Sequence, residues 1–465
     1  MTAVARQVVV IGGGFCGLAA AYELSRRGIV ATVLESDDEI GGLAGSFRVG
    51  DQHLEKFYHH WFTNDVHVTT LAEELGKADQ IVERPTRTGM YFAHRFFRLS
   101  TPMDLLRFTA LPMWDRIRLG LLALRARRVR DWQSLEQRTA AEWLRELGGD
   151  RVYRVVWEPL LRGKFGDVAD EVSAVWFWNK LKLRGGSRGK SGEERLAYYR
   201  GGFAALAESM ADAIRTSGGR VMTGTAATGL RVDQGRVTGV KTTNGVVDAD
   251  AVIATLPLPL TADLLQPHVP ATYLATLRRI RYLANVCVVL ELDRSLSSTY
   301  WLNVNDPGFP FVAVIEHTNF EPAESYSGRH IVYLSKYLHE SDPLYQMSQN
   351  DMVDFTTGHL KRMFPAMSSD WIQAAHVWRA QYSQPIVERG YSALIPSPRT
   401  PIDGLWIASM AQIYPQDRGT NYAVGQGRMV AGLVSDDLDL AGPNVDRNPI
   451  GASLKSSPTI LGISD

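Results

Sequence analysis

The chain has 465 residues, 45% hydrophobic and 22% charged, an ordinary globular balance but too long for one simple core, so two or three structural units are expected. Lys+Arg and Asp+Glu both number 50, which leaves no overall field to attract nucleic acid or another polyanion. Two cysteines, Cys16 and Cys287, lie far apart with no C-x-x-C pair, arguing against a disulfide framework or structural zinc.

The opening VARQVVVIGGGFCGLAAAYEL is apolar like a leader, but three glycines interrupt it and no A-x-A pattern follows. No apolar run approaches the roughly 18 residues that span a bilayer. The expectation is a cytoplasmic protein, dissolved or peripheral to a membrane. Gln7–Ile11 is a short β-branched run, the mark of a buried parallel strand. Gly12-Gly13-Gly14-Phe15-Cys16-Gly17 follows, then a helical stretch to Gly28, then a second apolar run from Ile29 to Leu34 ending at Glu35. This is the G-x-G-x-x-G unit in its strand–turn–helix setting, which predicts dinucleotide binding rather than a mere glycine turn. Gly12 allows the tight turn, Gly14 lets a pyrophosphate approach, and Gly17 lets the helix pack on the strand. The helix N-terminus offers free N–H groups to phosphate, and Glu35 is placed to accept from two ribose hydroxyls.

Gly41-Gly42-Leu43-Ala44-Gly45 comes next. With Glu35 it resembles the E-x(5)-GG segment of the flavin amine oxidase, protoporphyrinogen oxidase and phytoene desaturase superfamily. That resemblance implies FAD, with Phe15, Cys16, Ser36, Gly42, Leu43 and Ala44 along it; Leu43 stands where the family has a basic residue. It also implies an α/β fold of glutathione-reductase type, a Rossmann FAD-binding domain carrying an inserted mixed α+β substrate domain.

Leu54 to Asp65, LEKFYHHWFTND, sets two histidines in an aromatic run. It is nearer the HKYG-x-H-x-F-H run of UDP-galactopyranose mutases than the G-P-H of protoporphyrinogen oxidases. If the run is extended, His59 and His60 face opposite ways. Either is a candidate for meeting flavin or substrate, against a merely packed role; no third ligand at metal spacing joins them, so no metal is expected. Lys56 is a candidate anion-binding residue or a solvated one. Asp104 to Trp132 interleaves apolar residues with seven arginines. It reads as an amphipathic helix with a solvated face, or as a basic surface for anionic lipid or a phosphorylated or lipid-linked substrate. Glu158-Pro159-Leu160 fits the E-P-L-x-x-G run of protoporphyrinogen oxidases, with Arg162 and Lys164 as nearby cations.

Arg200-Gly201-Gly202 opens an amphipathic helix to Ser217, and Gly219 to Thr255 reads as strands turning at Asp233-Gln234-Gly235 and Asn244-Gly245. In the resembling family this segment brings a residue near Ala227 to the adenine. Lys336 is a weak match to the lysine amine oxidases set beside the flavin. Tyr382, Tyr391 and Tyr414 are candidates for aromatic walls, each against a structural role. Leu405–Ala408 is a buried strand, followed by a loop with Asp417 and Arg418 and a helix from Thr420-Asn421-Tyr422. It resembles the last FAD motif, in which that helix start meets the flavin pyrimidine. Ser409-Met410 replaces the usual Gly-Asp.

The FAD-binding domain is therefore expected in three pieces, 1–60, 200–260 and 385–440, with 61–199 and 261–384 as substrate domain and 441–465 as a flexible tail. The function expected is FAD-dependent oxidation of a small molecule. The catalytic candidates are His59, His60 and Tyr414, and the substrate candidates Lys56, Arg162, Tyr382, Tyr391 and Arg418. A redox-neutral sugar-nucleotide mutase and a non-catalytic flavin carrier remain as alternatives, and nothing fixes the oligomeric state.

Overall fold

Five short strands, all parallel, make the first sheet, in the order Arg220–Met222, Val30–Leu34, Gln7–Ile11, Ala251–Ala254, Leu405–Ile407. The computed structural model describes residues 6–98, 101–186 and 194–440; the expected tail lies outside them. These strands are continuous Val, Ile, Ala and Leu because both faces are covered. Val8 and Val10 pack under the helices Phe15–Arg26, Gly202–Thr216 and Thr420–Leu440, whereas Val9 and Ile11 face the other layer. That layer contains the antiparallel strands Ala227–Asp233, Arg236–Thr242 and Gly245–Asp248. The turn between the first two holds Gln234 at φ 47° and Gly235 at φ 79°, the left-handed pair a two-residue hairpin needs.

A seven-stranded mixed sheet stands beside this unit, in the order Ile372–Pro385, Tyr282–Leu292, His330–Leu338, Ala313–Glu316, Trp301–Val304, Thr88–Phe92, Arg95–Arg98. Along His330–Leu338 the side chains alternate between two cores. Ile331 and Tyr333 join the core shared with the first unit, and Val332 and Leu334 pack with Met352, Leu360 and Met363 of the helix Gln349–Met363. Residues 102–186 form a helical layer. There the expected single amphipathic helix over 104–132 is instead two, Pro102–Leu106 and Met113–Arg128; the first already ends at Arg107, and Pro112 starts the second as its N-cap. Nor is the second amphipathic: it is apolar on two opposite faces. The turn Tyr153–Trp157 widens to π geometry just before Pro159, which has no N–H to donate.

Candidate functional site

At the carboxyl edge of the parallel sheet two glycine segments run in contact. Gly12 sits at φ +108°, and a Cβ on Gly17 would stand 1.9 Å from the Gly12 carbonyl oxygen, so only glycine lets this helix start against its own turn. Gly41 donates its N–H to Gly13 O at 2.9 Å, and a Cβ on Gly42 would come within 3.1 Å of Gly14 Cα. The helix Phe15–Arg26 is capped by Gly14 without any side-chain bond and has no acid in its first turn, so its N–H groups are left for an anion. Glu35 ends its strand with Oε2 accepting from Gly13 N at 2.7 Å and Oε1 from Asp37 N at 3.0 Å and Ser36 Oγ at 3.1 Å. Its carbonyl accepts from Thr225 N, which places Ala227 two residues further along.

Cys16 belongs to packing. Its thiol donates to Ala408 O, and burial pushes it up to about 12, out of the thiolate range. A Cβ on Gly427 would lie 2.1 Å from Cys16 O, so the C-terminal helix presses on the glycine-loop helix. Gly427 is seven residues into Thr420–Leu440, so about two turns of that helix project beyond the start of its neighbour. Phe15 packs edge-on to Phe203 at 5.9 Å. A side-chain-free cradle next to an uncapped helix start, with a carboxylate at the end of the second strand, fits an adenine dinucleotide.

The projecting helix start closes a cavity of about 340 Å³. Its wall takes Leu43 from the glycine pair, Phe57 to Phe62 from the aromatic crossing, Trp176, Phe177 and Lys180 from the helix Ala174–Gly186, and Arg418 to Tyr422. Trp61 locks the crossing to the helix start by donating its indole N–H to Thr420 Oγ1 at 2.7 Å. Asn421 Oδ1 accepts from His67 N and Val68 N in the first turn of the helix Val66–Glu74. His59 and His60 do face opposite ways. His59 packs on Phe203 of the helix Gly202–Thr216, while His60 packs on Tyr300 and Trp301 beside the large sheet and bonds Tyr300 Oη through Nδ1 at 2.9 Å.

The cavity's polar groups form one cluster. Burial lowers His59 to about 4, so the ring is neutral at pH 7. Its Nδ1 lies 2.7 Å from Phe57 O; a carbonyl only accepts, so Nδ1 carries the proton and Nε2 keeps its lone pair. Arg418 Nη2 donates to Tyr337 Oη at 2.8 Å, while its buried Nε–H has no partner among the described residues. Burial would raise the Tyr337 phenol, but Arg418, Lys164 and a bond from Tyr58 together lower it, while Tyr58 itself is raised. Burial lowers Lys164 to about 8. Asp417 receives Lys180 Nζ at 2.5 Å and Trp176 Nε1 at 2.9 Å. Burial pushes its carboxyl up, yet Lys180, Lys164 and Arg418 outweigh that and hold it below the usual range.

Other sequence candidates land elsewhere. Tyr414 donates to Glu136 Oε2 at 2.7 Å and packs on Trp132 and Tyr391, away from the cavity wall. Tyr391 is core, its hydroxyl donating to Ala411 O. Tyr382 and Arg162 line a separate open cleft of about 1180 Å³, where Arg162 is engaged by Glu158 and Asp170. Lys56 lies over the Trp378 ring at 5.1 Å. Lys336 lines the same outer cleft but not the cavity, whereas its neighbour Tyr337 borders both. Sequence reasoning passed over Tyr58, Tyr337, Lys180 and Trp176. Only the alternation of HIVYLSKYL hinted at Tyr337, and no local signal joined it to Arg418, 81 residues away.

Comparison with known proteins agrees with this geometry. The chain is 27% identical over 326 residues to a coproporphyrinogen III oxidase of Propionibacterium freudenreichii subsp. freudenreichii, covering 57% of this chain and 59% of that protein's length. An oxidoreductase from Methanosarcina mazei superimposes with a TM-score of 0.73 at 18% identity, over 92% of this chain and 100% of the other. A reduced UDP-galactopyranose mutase gives 0.72 at 15%, over 94% and 95%. At such identities the superpositions show a shared fold, the mixed α/β fold of FAD-binding amine-oxidase-like proteins. The sequence profile of the flavin-containing amine oxidoreductases matches residues 15–435, and the chain belongs to that family.

Proposed function

We propose that the protein is an FAD-dependent oxidoreductase that takes hydride from a small-molecule substrate held in the 340 Å³ cavity. One observation carries this reading. Leu43, the crossing Phe57–Phe62 and the helix start at Thr420 come from distant parts of the chain yet share one wall. On this reading 1–60, 200–260 and 385–440 form the FAD-binding unit, and 61–199 with 261–384 the substrate unit. When bound, FAD supplies the two-electron acceptor, at flavin N5.

The chain's own residues supply the rest. The start of the Phe15–Arg26 helix holds the diphosphate, Glu35 the ribose hydroxyls, and Ala227 borders the adenine. The start of Thr420–Leu440 offers partial positive charge to the reduced ring, worth about 0.3–1 kcal/mol. Trp61, Trp176, Phe177 and Trp301 exclude water and orient a flat or apolar body. Arg418 and Lys164 bind an anionic group on it. His59, neutral with a free Nε2, is placed to take the proton that leaves with hydride.

The cationic cluster also favours a second reading, a redox-neutral mutase acting on a phosphorylated sugar, in line with the KFYHHWF run. Anaerobic mixing separates the two. Bleaching of the visible flavin band by a primary amine or by a coproporphyrinogen supports oxidation. Conversion of UDP-galactopyranose by pre-reduced protein without net bleaching supports the mutase. His59→Ala should lower the oxidative rate about 100-fold with little change in KM; an unchanged rate makes His59 a packing residue.

A further inference from the structure

The helix Met113–Arg128 buries Leu119, Leu122 and Ala126. Ala126 O also accepts the indole N–H of Trp178 at 3.1 Å. At about 100° per residue, Met113, Trp114, Ile117, Leu121 and Leu124 cluster on a stripe roughly opposite. All five are exposed, Trp114 by 77%. Met103 and Leu106, in the short helix packed against it, are exposed too. Scattered apolar residues on a surface need no explanation; a continuous stripe bounded by charge does.

The boundary is arginine. Arg118 and Arg125 flank one side of the stripe, Arg127 the other, and Arg128 ends it. Among the described residues Arg107, Arg125, Arg127, Arg128 and Arg130 have no acidic partner. The helix has one acid, Asp115, which is buried and already engaged by Arg118 and Arg151. Its 16 residues reach about 24 Å and carry too many charges to cross a bilayer, and no helix of the described residues is long and apolar enough to do so.

We propose that this face seats the protein on an anionic lipid surface. The helix lies in the interface plane, Trp114 and the aliphatic residues enter the acyl boundary, and the unpaired arginines meet lipid phosphates. A second copy of the chain fits less well, because it would set unpaired arginines against arginines. The buried face of this helix packs on Ala174–Gly186, whose Trp176, Phe177, Lys180 and Leu181 line the cavity. Seated in this way, the cavity stands one helix from the lipid.

Sedimentation of the flavin-loaded full chain with vesicles tests the proposal. Vesicles of phosphatidylcholine with phosphatidylglycerol should carry the protein down, more weakly as salt rises, and phosphatidylcholine alone should bind far less. Trp114→Glu with Leu121→Glu should weaken binding about tenfold or more, and Arg125→Gln with Arg128→Gln roughly 25-fold. The visible flavin band and melting temperature should not move in either variant, and Trp114→Ser serves where the double change disturbs folding. Absence of binding to the anionic vesicles overturns the proposal, as does equal binding by parent and variants. A dimer split by Leu121→Glu, with no vesicle binding, gives the face to a second copy instead.

Discussion

Asp417→Asn probes the electrostatic floor of the cavity. The carboxylate is 4% exposed and binds Lys180 Nζ at 2.5 Å, Trp176 Nε1 at 2.9 Å and Gln384 Nε2 at 3.3 Å. Asparagine keeps the shape and an acceptor for Trp176 but removes the charge. Lys164, Lys180 and Arg418 then face one another with their nearest anion gone. Breaking a buried ion pair costs about 3–5 kcal/mol. Lys180 is 35% exposed and regains some water, so about 2–3 kcal/mol is expected, a 30- to 150-fold rise in the unfolding constant. Urea unfolding of the flavin-loaded protein at pH 7 reads it. The loss should fade as pH falls below the ordinary carboxyl value of 3.8, because a depressed carboxyl stabilises only while ionised in the folded state. Adding Lys180→Met should recover at least half. A single variant within about 0.5 kcal/mol of the parent, or a double variant no better than the single, refutes the coupling.

Gly17→Ala puts a Cβ 1.9 Å from Gly12 O and must displace the turn that feeds the dinucleotide helix. The purified variant should carry little flavin, and retention of the parent's full flavin content contradicts the cradle. Glu55 is buried, accepts Tyr198 Oη and Phe203 N, and is raised by burial to about 7 from 4.5. The unfolded chain ionises first, so this group costs the fold up to about 3 kcal/mol as pH climbs from 4.5 to 7. Glu55→Gln should flatten that part of the melting-temperature profile. A profile parallel to the parent's across this window would falsify the raised carboxyl.

The parallel-sheet unit was legible because its signals are local. Strand, glycine turn, helix and terminal acid fall within 30 residues of sequence, and the hairpin turns at Gln234-Gly235 and Asn244-Gly245 announce themselves by composition. The histidines contact opposite neighbours although residues 56–60 are not a strand, so the alternation expected of an extended run is met here by an irregular crossing. The cluster of Tyr58, Tyr337, Arg418, Lys164 and Asp417 was not legible as a unit. Its five members come from four separate segments, Asp417 and Arg418 sharing one loop, and only the packing of the large sheet on the helical layer brings them together. Tyr414 shows the converse. Its place in a resembling loop suggested a catalytic wall, whereas Glu136 holds it in the scaffold. Residues 104–132 had the right composition read as the wrong shape, since a non-helical stretch from Arg107 to Pro112 divides them and the second helix is apolar twice over.

The central claim is tested most directly by the cofactor itself. Purified protein should be yellow, with one tightly held flavin per chain, and the flavin released on unfolding should brighten when phosphodiesterase cuts it, as FAD does. A colourless chain that takes up no added FAD, or release of flavin mononucleotide alone, contradicts the account.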